Sequence, residues 1–132
     1  MVVDTSALAA ILFDEPDAGE FEAAIANDAV RLISAATVVE ASLVVERRFG
    51  EQGGKELDAL LREAEFEVVG VSQEQVNFAR RALRTYGKGV HPASLNFGDC
   101  FPYALAKASG EPLLFKGEDF SKTDIRNART HG

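Results

Sequence analysis

The chain has 132 residues, of which 46% are hydrophobic and 27% charged, and it contains no low-complexity tract. This length and balance predict one ordered domain over residues 1–132, and they exclude an intrinsically disordered protein. The 21 acidic and 14 basic side chains give a net charge of −7. That charge opposes attraction of nucleic acid to the whole surface, although it leaves room for a local basic groove.

The apolar runs and the cysteine content indicate the compartment. No apolar run approaches the roughly 20 residues that span a bilayer, and the first residues lack the basic and apolar regions of a signal peptide. Because Cys100 is the only cysteine, no internal disulfide can form. We therefore expect a cytoplasmic protein without a membrane segment.

Strand and helix patterns alternate along the chain. In chain order they predict a strand at Val2–Asp4, helices at Ser6–Phe13 and Asp17–Asn27, a strand at Val30–Ser34, helices at Thr37–Phe49 and Lys55–Ala64, a strand at Phe66–Val71, a helix from Ser72 to Tyr86, a loop at Gly87–Leu95, a helix at Phe97–Ser109 and a strand at Pro112–Phe115. This alternation predicts an α/β fold, a three-layer α/β/α domain around a central parallel sheet of four or five strands.

Four carboxylates are expected at one edge of this sheet. Asp4 ends the first strand, Glu40 lies in the first turn of the helix after the second, and Asp119 follows the fourth. Asp99 lies in the first turn of the helix before the fourth strand, so the preceding loop must return the chain to the same edge. Ligands of parallel sheets bind outside the carboxyl ends of the strands. The four acids therefore indicate a functional site.

Each acid also has a purely structural interpretation. The segment Thr37-Val-Val-Glu40 fits the S/T-x-x-E capping box, and Asn96-Phe-Gly-Asp99 is its close analogue. Asp4 can cap the first helix, and a turn after the last strand explains the fourth acid. The sequence leaves these alternatives open.

A divalent cation would neutralise the repulsion between these carboxylates. Carboxylates gathered at one edge repel each other and raise their own pKa values unless a cation neutralises them. An all-oxygen site suits Mg²⁺ or Mn²⁺. Zinc would need histidine or cysteine, and His91 and His131 are far apart in the sequence. The chemistry that such a site supports is hydrolysis at a phosphoryl group by a metal-activated water.

Four segments resemble, in order and spacing, the PIN-domain VapC toxins of bacterial toxin–antitoxin pairs. They are Val-Val-Asp4-Thr-Ser, Thr-Val-Val-Glu40, Leu-Asn-Phe-Gly-Asp99-Cys and Leu-Leu-Phe-Lys-Gly-Glu-Asp119-Phe. The resemblance covers essentially the whole chain. It implies a PIN-like fold and a Mg²⁺-dependent endoribonuclease, with Mn²⁺ as a substitute. It also implies neutralisation by a VapB-type antitoxin and a homodimer.

The same resemblance implies a role for each acid. Asp4, Glu40 and Asp99 match the three core acidic positions of the family. Asp4 and Asp99 would bind the metal directly, and Glu40 would act on the metal through water or help to orient the attacking water. Many relatives carry a further aspartate two residues before the aspartate of Asp-Phe, where this chain has Gly117. Asp119, or the glutamate before it, would then take the fourth role.

Other functions also gather acids at such an edge. A signalling receiver domain needs an aspartate after a central strand, but the third strand here ends Gly70-Val-Ser72. A phosphatase with an aspartyl nucleophile would show Asp-x-Asp, and position 6 is serine. A PIN domain that only binds partners is a further alternative, because Gly117 leaves the acid set incomplete.

Several residues outside the acids are candidates for phosphate contacts. Lys116 lies next to the expected site, and Thr5 and Ser6 either cap the first helix or bind phosphate. Cys100 is interpreted as a small buried residue rather than a nucleophile. A basic segment is interpreted either as a phosphate contact or as a solvated helix face; it consists of Arg80, Arg81, Arg84, Lys88 and His91.

Overall fold

The centre of the molecule is a sheet of four parallel strands. The computed structural model describes residues 1–129, so His131 lies outside the described part of the chain. The strands lie in the order β3-β2-β1-β4, and every neighbouring pair is parallel. The predicted parallel sheet is therefore confirmed. Its strands are β1 (Val2–Val3), β2 (Leu32–Ser34), β3 (Glu67–Val69) and β4 (Leu113–Leu114).

Within the described residues, six α-helices connect and cover the strands. Gly50 and Gly110 end the third and sixth helices with φ of 66° and 76°, values that glycine adopts readily. No helix of residues 1–129 is long and apolar enough to cross a membrane. The helices are α1 (Thr5–Leu12), α2 (Ala18–Ala26), α3 (Ala35–Phe49), α4 (Glu51–Glu63), α5 (Gln73–Tyr86) and α6 (Cys100–Ser109), and a short 3₁₀ helix follows at Phe120–Lys122.

The core lies on both faces of the sheet. Consecutive residues of a strand point to opposite faces, and the fully buried strand β1 supplies both faces. Val3 packs in one hydrophobic cluster with side chains of α1 to α4. Val2 packs in the other cluster with side chains of α5 and α6. The predicted α/β/α layering is therefore confirmed.

The start of α3 differs from the sequence prediction. The helix begins at Ala35 rather than Thr37. Ser34 ends β2, and its hydroxyl oxygen accepts a hydrogen bond from the Ala36 amide at 3.2 Å. Serine is a strong N-cap, so the helix starts directly after the strand, and Thr37, the predicted N-cap residue, lies inside the helix.

The start of α4 also differs from the sequence prediction. The helix begins at Glu51 rather than Lys55 and runs through both glycines. A Cβ atom at Gly53 would lie 2.5 Å from the carbonyl oxygen of Val45, so glycine lets α4 approach the backbone of α3. All four strands are shorter than predicted. The last helix, α6, begins at Cys100 rather than Phe97, so Asp99 lies just before it and not in its first turn.

Candidate active site

Asp4 lies directly after β1 and caps α1. Its amide donates to the carbonyl oxygen of Leu114 at 2.9 Å, which fixes the residue at the carboxyl edge of the sheet. Carboxylate atom Oδ2 accepts hydrogen bonds from the amide and hydroxyl of Ser6, at 3.0 and 2.6 Å. The other atom, Oδ1, is buried without a hydrogen-bond partner. The capping interpretation therefore explains only half of this carboxylate.

Glu40 lies in the second turn of α3, and the expected capping box does not form. Because Ser34 caps the helix, Thr37 is inside it and its hydroxyl is buried without a partner. Glu40 instead accepts a hydrogen bond from Thr5, with 2.5 Å between Oγ1 and Oε1. The placement of Glu40 in the first turn was thus wrong, and its carboxylate is directed toward the residue that follows Asp4.

Asp99 and Asn96 exchange the two hydrogen bonds of a capping box, but they do so in the turn before α6 and not at its N-cap, which is Asp99 itself. The Asn96 amide donates to Oδ2 of Asp99 at 2.9 Å, and the Asp99 amide donates to Oδ1 of Asn96 at 3.0 Å. The loop before it is closed by backbone hydrogen bonds of Leu95 with Tyr86 and Lys88, both at 3.0 Å. This closure returns the chain from the end of α5 to the start of α6 and brings Asp99 to the sheet edge.

The acids act on one another's protonation, so they lie close together. Burial raises the pKa of Asp4 to about 6, the hydrogen bonds from Ser6 lower it in part, and the charges of Asp99 and Glu40 raise it. Burial also raises the pKa of Asp99, and the charges of Glu40 and Asp119 add to that rise. Asp4, Glu40 and Asp99 therefore influence one another by charge, and Asp119 joins them through Asp99.

The fourth position of the cluster is occupied by Asp119. This residue is exposed and lies just before the 3₁₀ helix that follows β4. Position 117, where the family pattern has an acid, is a glycine with φ of 99°. That left-handed backbone favours glycine over any side chain. Together with the charge of Glu40, the charge of Asp119 raises the pKa of Asp99.

The acids suit an oxygen-ligated divalent cation. Among residues 1–129, no three histidine, cysteine, aspartate or glutamate side chains are arranged as a ready-made metal cluster. Asp4 and Asp99 offer two carboxylates, and Mg²⁺ commonly takes one or two from a protein when water and substrate phosphate complete its shell. The unpartnered Oδ1 of Asp4 is a free ligand atom. The residues present therefore fit a site of this kind.

The sequence match to a known family extends over nearly the whole chain. Residues 1–126 match the family model of the PIN domain. The chain belongs to the PIN-domain family. Ribonuclease VapC30 of Mycobacterium tuberculosis is 61% identical to it over 125 residues, which cover 95% of each chain. This PIN domain is therefore a member of the VapC ribonuclease group, and PIN-domain ribonucleases are metal-dependent in general.

Solved structures of VapC proteins share the fold of this PIN domain. The structure of VapC20 from Mycobacterium tuberculosis, a sarcin-ricin loop cleaving toxin, matches with a TM-score of 0.77 at 20% identity, over 94% of this chain and 95% of that one. VapBC2 from Rickettsia felis, bound to a promoter DNA fragment, matches with a TM-score of 0.71 at 19% identity, over 96% and 95%. At these identities the likeness shows the fold alone.

The basic residues of this PIN domain fall into two groups. Lys116 follows β4 at the acidic edge, but its ammonium pairs with Asp17 at 3.0 Å and with Glu15 at 3.1 Å. The hydrogen bonds in these pairs raise the pKa of Lys116, so its charge is already engaged. The second group is exposed on α5 and the residues after it, and consists of Arg80, Arg81, Arg84 and Lys88.

Cys100 is a buried thiol, in agreement with the sequence interpretation. Its Sγ donates to the carbonyl oxygen of Phe97 at 2.9 Å. Burial, together with the charge of Asp99, raises the thiol pKa to about 11. At neutral pH the sulfur is therefore protonated, and only the thiolate is a strong nucleophile.

Two neighbours of the Glu40 carboxylate were not predicted. Thr5 was expected to cap a helix or to contact phosphate, and it instead donates to Glu40. Gly98 lies within the box formed by Asn96 and Asp99, and its backbone lies against the same carboxylate. The only sequence signal was that Gly98 directly precedes an acid. Its contact with Glu40 arises because α3 packs against this turn.

Proposed function

We propose that this VapC-family PIN domain is a Mg²⁺-dependent endoribonuclease, with Mn²⁺ as a substitute, and the toxin of a toxin–antitoxin pair. The observation that carries the proposal is the unpartnered Oδ1 of Asp4, buried beside the charges of Glu40 and Asp99. This arrangement is unfavourable by itself and becomes favourable when a divalent cation binds.

The four acids take different roles in this proposal. Asp4 and Asp99 hold the cation, and Asp119 adds negative charge beside them. Glu40, oriented by the Thr5 hydroxyl, accepts a proton from the attacking water. Mg²⁺, when bound, would supply the positive charge that activates water and stabilises the leaving oxygen. No protein nucleophile is needed, which agrees with a cysteine that stays protonated.

RNA, an antitoxin and a second copy of the chain are the partners that we propose. The exposed basic face of α5 supports contact with an RNA backbone in an otherwise acidic protein. The VapBC2 relative from Rickettsia felis supports a VapB-type antitoxin. Val39 and Leu43, one turn apart on α3, are 70% and 51% exposed, which supports a protein contact such as a homodimer. The single reduced cysteine supports a cytoplasmic location.

The substitution Glu40→Gln tests the proposed chemistry. Glutamine keeps the shape of the side chain and an oxygen that can accept from Thr5, but it cannot act as a base. We expect the variant to melt at the wild-type temperature and to cleave a mixed-sequence RNA about 100-fold more slowly or worse. Initial rates with Mg²⁺ and thermal melts by circular dichroism measure the two effects.

A matched control removes a charge from the same helix away from the site. Glu46 is exposed on α3 and lies against Gly54 of α4, so Glu46→Gln should cleave RNA at the wild-type rate. A folded Glu40→Gln variant with full cleavage would show that Glu40 has no catalytic role. A wild-type protein that neither cleaves RNA nor gains stability from Mg²⁺ or Mn²⁺ would instead be a PIN domain that only binds partners.

A further inference from the structure

Gly98 touches the carboxylate of Glu40 more closely than any side chain would permit. A Cβ atom built on Gly98 would lie 1.8 Å from Oε2 of Glu40, 2.8 Å from Cδ and 3.3 Å from Oε1. These distances are well inside van der Waals contact, so a methyl group and the carboxylate cannot occupy this place together. The Glu40 carboxylate occupies the space that a side chain at position 98 would need.

The same carboxylate is held from its other side by Thr5. The Thr5 hydroxyl donates to Oε1 at 2.5 Å, and this threonine is buried at 8% exposure. Thr5 directly follows Asp4, and Gly98 directly precedes Asp99. Glu40 therefore lies between the neighbours of the two acids that we propose as metal ligands, and these two contacts fix the position of its carboxylate.

The backbone of Gly98 does not itself require glycine. Its φ lies outside the left-handed region, unlike that of Gly117, so alanine can adopt this conformation. All three atoms nearest to the built Cβ belong to the Glu40 side chain, whereas at Gly53 the nearest atoms are backbone atoms of Val45. A side chain at position 98 would thus displace a rotatable carboxylate and leave the fold in place.

We propose that Gly98 is a positioning residue for Glu40: the missing side chain admits the carboxylate between the Asn96–Asp99 turn and the Thr5 hydroxyl. The inference rests on the proposed function, because it assumes that the place of Glu40 matters for cleavage. A misplacement of about 1 Å at a reacting group can cost about 100-fold in rate, so the absence of one methyl group is of catalytic consequence.

The variant Gly98→Ala tests the inference, with Gly70→Ala as the matched control. Gly70 also lies in an irregular segment, and its built Cβ would meet nothing within 4 Å. We expect both variants to melt within about 3 °C of the wild type. Gly98→Ala should lower kcat for RNA cleavage by about 10–100-fold with little change in KM. Gly70→Ala should cleave at the wild-type rate.

A crystal structure of metal-free Gly98→Ala supplies a readout that does not depend on activity. It should show the Glu40 carboxylate turned away from position 98 and the Thr5 hydroxyl without its partner. A double-mutant cycle that combines Gly98→Ala with Glu40→Asp supplies a second test. In a Glu40→Asp background the acid is one methylene shorter and does not reach the Cβ, so Gly98→Ala should lower the remaining rate less than about threefold.

The outcomes that overturn the inference differ from those that overturn the proposed function. A Gly98→Ala variant that cleaves like the wild type, keeps the Thr5 contact or fails to fold would refute the positioning role. An equal loss of rate in both backgrounds of the cycle would show a general disturbance of the turn, which also refutes it. Full activity of Glu40→Gln would refute the catalytic role of Glu40, while the crystal structure would still decide where the carboxylate lies.

Discussion

The substitution Asp4→Asn should stabilise the metal-free protein while it removes the function. Asp4 is 5% exposed, and its pKa is raised from 3.8 to about 6, so the ionised carboxylate is disfavoured in the folded state. A shift of about two units corresponds to about 3 kcal/mol at neutral pH, at about 1.36 kcal/mol per unit. Asparagine removes this charge and remains a good N-cap for α1.

The sign of the effect follows from proton binding. Between pH 3.8 and about 6 the folded protein binds more protons at Asp4 than the unfolded chain, so the free energy of unfolding falls as pH rises through this window. The penalty is absent below pH 3.8 and complete above about pH 6. The advantage of Asp4→Asn should therefore be about 2–3 kcal/mol at pH 7.5 and should vanish near pH 4.

Urea and thermal unfolding in EDTA measure this difference. A gain of 2–3 kcal/mol raises the Tm by about 8–12 °C for a domain of this size. Addition of Mn²⁺ at about 1,000 times its Kd should reverse the order, because the cation stabilises only the wild type, by about 4.1 kcal/mol. An Asp4→Asn protein that is less stable than the wild type in EDTA at pH 7.5 would refute the reasoning that this carboxylate is buried without compensation.

Three further substitutions distinguish residues that act in RNA cleavage from residues that only stabilise the fold. Thr5→Val removes the hydroxyl that orients Glu40 and should lower RNA cleavage about tenfold at nearly constant stability, within about 1 kcal/mol; unchanged kinetics would contradict the orienting role. Ser34→Ala removes the cap of α3 and should lower the free energy of unfolding by about 1 kcal/mol in urea, whereas cleavage should persist. Cys100→Ala should cleave normally, and the native thiol should react slowly with iodoacetamide at pH 8, because its pKa is about 11; rapid labelling would show that it is not buried.

The order of the strands and helices and the parallel sheet were predictable from local patterns. Val2 and Val3 are apolar, adjacent and followed by a strong capping residue, which indicates a buried strand that ends at a helix. Ser72 with Gln75, and Gly110, mark a helix start and a helix end, and both were confirmed. Each of these signals is local, because the residues that make the hydrogen bond are three or four positions apart. That the whole chain is one domain stays a prediction.

The location of the acids was also predictable, since parallel strands end at a common edge. Asp4 and Asp119 follow β1 and β4, and these strands are neighbours in the sheet. The sequence alone did not decide which acid had a structural role. The sequence offered a capping box at each of two acids. Thr37 does not cap α3, because Ser34 occupies the N-cap position. The reciprocal hydrogen bonds of Asn96 and Asp99 do form, but in the turn before α6.

The sequence by itself determined the fold class, the family and the set of acids, because these depend on the types and spacing of residues along the chain. The tertiary structure decided how Glu40 is held. Its two neighbours, Thr5 and Gly98, are 35 and 58 positions away along the chain, and they meet it only when α3 packs against the starts of α1 and α6. It also left one oxygen of Asp4 buried without a donor, which no pattern along the chain can show, because an unmet hydrogen bond depends on every atom that surrounds it.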